Sequence, residues 1–195
     1  MTHIENLNVF PTLLRKVSNF LTASECYEIV SKIDLTNFST HAALSGHAIS
    51  NHMSQKENSI DSIDQYINIK DRIKLELDGY TETSGFKKTI LANSWMSIQY
   101  KNSELQIHGH PVSAISGVIY LKVDEDSSKL SFFNPNPFLS ITEIADYTPY
   151  TFGKFWITPQ IGDLILFPSW LSHGSDGINN SDERIILSFN TLYAK

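Results

Sequence analysis

From Thr89 onward the chain breaks into short β-rich segments separated by turn residues, and this change of texture limits the fold more than anything else in the sequence. Before it, apolar residues recur every three or four positions. Cys26, Ile29, Val30 and Ile33 form one such series; Ile60, Ile63, Ile67, Ile73, Leu77 and Tyr80 form another. That is the period of an amphipathic helix. The spacing predicts a helix over 23–33, capped by Thr22 or Ser24, and a second over about 60–79. Between them, residues 36–58 are polar and unperiodic and read as a long loop.

Beyond Thr89, strands are expected near 89–100, 105–110, 115–123, 129–133, 151–157, 163–167, 171–174 and 184–193. Turn chemistry separates them at Lys101-Asn102-Ser103, Asp124 to Ser128, Asn134-Pro135-Asn136-Pro137 and Ser175 to Glu183. Helices first and strands after predict a mostly β sandwich or jelly roll with N-terminal supporting helices. A length of 195 residues suits one domain, 1–195, with helical support over 1–88 and a β core over 89–195.

Several function classes are excluded at this level. A net charge of −6 without a Lys/Arg cluster argues against a sequence-independent nucleic-acid surface. Cys26 is the single cysteine, so no intrachain disulfide forms. No apolar run has the length of a membrane span, and the first residues lack the basic and apolar regions of a signal peptide. A cytoplasmic setting without membrane partners is expected, and oligomeric state is not readable.

The chemistry lies in His108-Gly109-His110-Pro111, in the run Gly162 to His173, and in Arg184. Two imidazoles two residues apart on an extended segment point to one side, because side chains alternate with period two. With His173 they can build an open metal site, and two His plus a carboxylate with open positions is the usual iron oxygenase arrangement. Open positions accept a 2-oxoacid and dioxygen. The far carboxylate of a dicarboxylate is best held by the planar fork of an Arg. On the last strand Arg184, Ile186, Ser188 and Asn190 share one face, while Ile185, Leu187, Phe189 and Tyr193 share the other. Ser116, Val118 and Tyr120 share a face of an earlier strand.

Four motifs in order carry a resemblance: His108 to Pro111, Ser116-Gly117-Val118-Ile119-Tyr120-Leu121, Phe167 to His173, and Arg184 with Ser188-Phe189-Asn190. From about Ile90 to Leu192 the chain resembles the Fe(II)/2-oxoglutarate oxygenases, in their prolyl-4-hydroxylase-like branch, and among these small bacterial and phage members. The resemblance implies a cupin-like double-stranded β-helix, with Fe(II) as cofactor and 2-oxoglutarate and O2 as cosubstrates. It gives His108 and His173 the roles of first and distal iron ligands. Arg184, helped by Ser188 and Tyr120, would hold the distal carboxylate of 2-oxoglutarate, and Tyr100 its metal-side end. The departures are His110, which stands where the family carries Asp or Glu, the wider spacing from Arg184 to Ser188 where Arg-x-Ser is frequent, and Asn134-Pro135-Asn136 where relatives often show Asp-Pro-Arg. His110 is read as the third ligand, with a place beside an iron held by two His as the alternative.

The implied activity is hydroxylation of a small-molecule or peptidyl substrate, coupled to decarboxylation of 2-oxoglutarate. The alternatives are a three-His cupin-type dioxygenase that uses no 2-oxoacid and a non-catalytic metal-binding β-helix. His41, His47 and His52 read as exposed loop residues, or as part of a lid over the site. Trp95, Trp156 and Trp170 read as core or rim packing, and Asp176 as a turn residue or a substitute for the missing carboxylate.

Overall fold

The computed structural model describes residues 2–7, 9–52 and 58–195. Among these, the regular elements run β1 (Arg15–Val17), α1 (Ala23–Ser31), β2 (Leu44–Ser45), β3 (Ala48–Ser50), α2 (Ser59–Asp64), α3 (Ile69–Ser84) and β4 (Thr89–Tyr100). They continue as β5 (Glu104–Leu105), β6 (Ile115–Lys122), β7 (Leu130–Phe133), β8 (Lys154–Ile157), β9 (Leu164–Pro168), β10 (His173–Ser175) and β11 (Glu183–Tyr193). One antiparallel sheet has the order β1-β9-β6-β11-β4-β3; a second has the order β10-β7-β8; β2 and β5 pair separately. The protein is mostly β, a double-stranded β-helix backed by N-terminal helices.

Thr22 starts α1 through a capping box. Its side chain accepts from the Glu25 N–H at 3.2 Å, and the Glu25 carboxylate accepts from the Thr22 N–H at 2.7 Å. Instead of one helix over 60–79 there are two, α2 and α3. The first ends at Asp64 and the second starts at Ile69, and the turn between them, over 65–68, lets both Ile67 and Ile69 reach the core. Asp64 serves the new start by accepting from the Lys70 N–H at 2.9 Å. α3 then runs past Gly79 to Ser84, where Gly85 takes the left-handed conformation of a helix stop, at φ 72°.

The expected loop over 36–58 also differs, because it contributes β2 and β3. Ala48, Ile49 and Ser50 pair with Gln99, Ile98 and Ser97 as an edge strand. β1, which forms the opposite edge against β9, was likewise not expected. Segments of two or three residues are too short to display alternation; backbone pairing alone defines them. The strand expected over 105–110 shortens to β5 plus an isolated bridge between His108 and His173.

The central strand β11 organises everything else. Arg184, Ile186 and Ser188 lie opposite Gln99, Ser97 and Trp95 of β4, while Ile186 and Ser188 lie opposite Tyr120 and Val118 of β6. By alternation these residues face the second sheet, and Val118, Tyr120, Ile186, Ile165 and Phe167 pack there against Leu130 and Phe132. The other face carries Ile185, Leu187, Phe189, Ile98 and Ile119. It packs against Cys26, Ile29, Ile73 and Leu77 of the helices. Each fully buried Leu, Ile or Phe contributes about 1.5–3 kcal/mol. The helices therefore stiffen the sheet from outside and leave its inner face for polar residues.

Gly162 fixes the entry to β9. Its φ is 82°, its N–H donates to the Tyr120 carbonyl at 2.8 Å, and its carbonyl accepts from the Leu21 N–H at 3.0 Å. A Cβ at this position would collide with the Leu21 carbonyl oxygen. Gly162→Ala is therefore expected to lower unfolding free energy by about 2 kcal/mol or more, from the left-handed conformation plus the collision. An unchanged midpoint in urea unfolding would contradict this.

Candidate metal centre

His108 and His173 face each other as a hydrogen-bonded pair. The His108 N–H donates to the His173 carbonyl at 3.0 Å, and the His173 N–H returns the bond at 2.9 Å. His110 follows two residues on, its N–H donating to the Ser169 carbonyl at 2.8 Å and its carbonyl accepting from the Ser113 N–H at 3.1 Å. The three side chains each offer a ligand nitrogen, and these nitrogens lie within 4.8 Å of one another. Ring centroids are 4.4 Å apart for His108 and His173, 5.0 Å for His108 and His110, and 5.2 Å for His110 and His173. Two bonds of roughly 2.1 Å to one ion span about 4 Å, so small ring rotations close the set.

Two of the rings are oriented from behind. Nδ1 of His108 lies 2.7 Å from the Gln106 carbonyl, and Nδ1 of His173 lies 2.9 Å from the Leu171 carbonyl. Those carbonyls can only accept, so each Nδ1 carries the proton and each Nε2 is left as a free lone pair. Burial pulls the His173 pKa down to about 3 and that of His110 to about 4, the other imidazoles adding to it; it lowers His108 as well. All three rings are uncharged at neutral pH, the form that ligates a metal.

A cavity on the inner face joins this cluster to Gln99, Tyr120, Arg184 and Ser188. Arg184 is only 2% exposed, and among the described residues no Asp or Glu forms an ion pair with it. Its Nη1 donates to Oε1 of Gln99, and its guanidinium carbon lies 5.2 Å from the Tyr120 ring centre. Among the described residues, Arg184 Nε and Gln99 Nε2 are buried without a hydrogen-bond partner, and the Tyr120 hydroxyl, which interacts with the Arg184 guanidinium, has no acceptor for its own proton. Burial raises the Tyr120 pKa, so the phenol stays protonated. Three idle donors, one of them the guanidinium's own Nε, at a buried cation without a counter-ion suit one group, a carboxylate. Three neutral nitrogens converging nearby suit a divalent transition metal.

The sequence-based residues His108, His110, His173, Arg184, Tyr120 and Ser188 are thus brought together. Tyr100 is not. It follows Gln99 on β4, so alternation turns it to the helical side, where it packs against the core and stacks on His47 at 4.3 Å. Gln99, which the sequence reading passed over, occupies the inner face instead. His41 and His52 are half-buried rather than exposed: their rings lie 4.6 Å apart, and His52 meets Trp95 at 4.7 Å. Trp95 lines the cavity 6.0 Å from His110, whereas Trp156 and Trp170 are exposed. Asp176 pairs with Lys154 at 2.6 Å, the behaviour of a turn residue.

Residues 93–190 match the sequence profile of the family described as "Putative 2OG-Fe(II) oxygenase", 2OG standing for 2-oxoglutarate. The chain belongs to this family. Its iron, 2-oxoglutarate and dioxygen agree with the donor set just described. Curated protein sequences contain no match. Solved structures share the fold. A Pseudomonas putida prolyl-4-hydroxylase is 16% identical, with 94% of each chain covered and a TM-score of 0.61. HygX from Streptomyces hygroscopicus, with nickel and 2-oxoglutarate bound, is 10% identical over 94% of this chain and 84% of that one, TM-score 0.64. A viral collagen prolyl hydroxylase from Paramecium bursaria Chlorella virus-1, in its 2-oxoglutarate complex, is 16% identical over 93% and 96%, TM-score 0.55. At such identities the likeness is one of fold. No helix among the described residues is long and apolar enough to cross a membrane.

Proposed function

We propose that this oxygenase holds Fe(II) on His108, His110 and His173, binds 2-oxoglutarate with its distal carboxylate against Arg184, and hydroxylates an organic substrate. The observation that carries the reading is the buried, unpaired Arg184. Removing a lone cation from water is unfavourable by several kcal/mol, and an anionic ligand offsets that penalty. A three-His dioxygenase that uses no 2-oxoacid has no need for such a group. Fe(II), when bound, supplies the redox chemistry by which 2-oxoglutarate and dioxygen give succinate, CO2 and the hydroxylated product.

The protein's own residues select and orient. Arg184 and the Tyr120 hydroxyl hold the far carboxylate, with Ser188 beside them, and the burial of those donors keeps water from competing for them. His110 in place of a carboxylate leaves the site one unit more positive, which favours an anionic 2-oxoacid. The substrate is a small molecule or a peptidyl group. The chain acts as one oxygenase domain, its helices behind a β-helix core that β1 and β3 join as the two sheet edges, and the single buried cysteine suits a cytoplasmic enzyme.

The test is turnover with Fe(II) and O2, comparing 2-oxoglutarate with 2-oxopentanoate, which keeps the chain length and lacks the distal carboxylate. Succinate forms from the first, and the second is consumed at least about 100-fold less efficiently, because it leaves buried donors unpaired. Equal use of both would overturn the reading.

A further inference from the structure

Gln99 stands directly opposite Arg184 in the β4–β11 register and is fully buried, at 0% exposure. Its backbone is fixed from one side by Ala48 of β3, its pairing partner, and its carbonyl accepts from Nδ2 of Asn179 at 3.2 Å. Its side-chain amide is divided in use. Oε1 accepts from Arg184 Nη1, whereas Nε2 has no partner among the described residues. An amide whose acceptor is used and whose donors are buried and idle is unfavourable unless something else accepts from it. Gln99 lines the same cavity as the other two idle donors, Arg184 Nε and the Tyr120 hydroxyl.

The choice of an amide matters as much as its position. A carboxylate there would satisfy Arg184 internally and cancel the charge that an incoming anion needs. An apolar side chain would leave Nη1 without an acceptor and the guanidinium free to swing. A carbamoyl group does neither: it anchors one nitrogen while leaving the charge whole, and it presents N–H donors of its own.

We infer that Gln99 is both a direct donor to the distal carboxylate of the 2-oxoacid and the positioning residue that keeps the Arg184 charge available, so that it sets selectivity for dicarboxylates. The inference rests on the proposed reading of Arg184 as the 2-oxoglutarate anchor.

Calorimetric titration of the full-length protein tests it. The parent, Gln99→Met and Gln99→Glu are each titrated with Mn(II) and then, metal-loaded, with 2-oxoglutarate and with 2-oxopentanoate. Gln99→Met should weaken 2-oxoglutarate about 10- to 100-fold, the loss expected for a hydrogen bond to a charged group. Gln99→Glu should weaken it further, since it adds an internal ion pair and repels the ligand. Mn(II) affinity should stay within about threefold of the parent in both variants, the cluster being a separate set of residues. The preference for 2-oxoglutarate over 2-oxopentanoate should narrow in both, which a purely structural role for Gln99 would not produce. Parent-like affinity and selectivity in Gln99→Met would overturn the inference. So would parent-like binding in Gln99→Glu, which keeps the size and acceptor of the side chain and serves where Met is not tolerated. A parent protein that binds Mn(II) but not 2-oxoglutarate would instead overturn the functional reading beneath it.

Discussion

Replacing Arg184 with Lys is expected to weaken 2-oxoglutarate binding about 100-fold or more while changing metal affinity no more than a few-fold. Lys keeps a formal charge but loses the planar fork that grips a carboxylate through two parallel bonds. It is also easier to discharge. A lysine at a position 2% exposed, without a carboxylate partner, has its pKa lowered by desolvation, so part of the positive charge disappears at neutral pH. Tyr120→Phe acts in the same direction and less strongly, since it removes one hydrogen bond worth about 0.5–1.5 kcal/mol net. Arg184→Met separates binding from folding. It should abolish 2-oxoglutarate binding and leave the unliganded protein melting no lower than the parent, because exchanging an uncompensated buried charge for an apolar side chain is neutral or stabilising. Parallel loss of metal, 2-oxoglutarate and thermal stability in these variants would make Arg184 a structural residue.

His110→Ala is the second change of large effect. If His110 is a direct ligand, its loss should reduce Fe(II) affinity by more than the roughly 10- to 100-fold that removal of an outer-shell partner costs. His110→Asp should keep most of the affinity, because it restores the more common two-His, one-carboxylate set. Among the described residues, no carbonyl backs His110 in the way that orients His108 and His173. It is the least constrained of the three rings, and the one whose exchange for a shorter carboxylate disturbs its neighbours least. Equilibrium dialysis against Fe(II) under anaerobic conditions reads the affinities. An alanine variant that retains iron as tightly as the parent would assign His110 a place beside a two-His centre.

Much of the site was legible because it is written in short motifs. Alternation puts His108 and His110 on one side and Arg184 with Ser188 on one strand face, whereas the roles of His173 and Arg184 come from the resemblance that their motifs carry. Tyr120 shares a face with Ser116 and Val118 by the same alternation, its role again coming from the resemblance. Tyr100 enters through the resemblance and not through parity; the structure puts it on the face opposite Gln99, because neighbouring residues of a strand point to opposite sides. That same parity conceals Gln99. A glutamine in a strand carries no signature, and the arginine that gives it meaning is 85 residues away. The alternation of Trp95, Ser97 and Gln99 was the available signal, and it became readable only once β4 was paired with β11. The packing of His52 against Trp95 is likewise a long-range contact, formed by a segment without periodicity. The helix break over 65–68 carries no signature either, since the apolar spacing continues through Ile63, Ile67 and Ile73 across it.

The central claim is that one chain brings iron and 2-oxoglutarate into contact, and an anaerobic spectroscopic titration addresses it most directly. Fe(II) added to the protein without oxygen should give no visible absorption until 2-oxoglutarate is added. A metal-to-ligand charge-transfer band should then grow to saturation at one equivalent, and it should be absent when 2-oxopentanoate is supplied at the same concentration or when Arg184→Met replaces the parent. A protein that binds Fe(II) yet develops no such band with 2-oxoglutarate at any concentration would contradict the account.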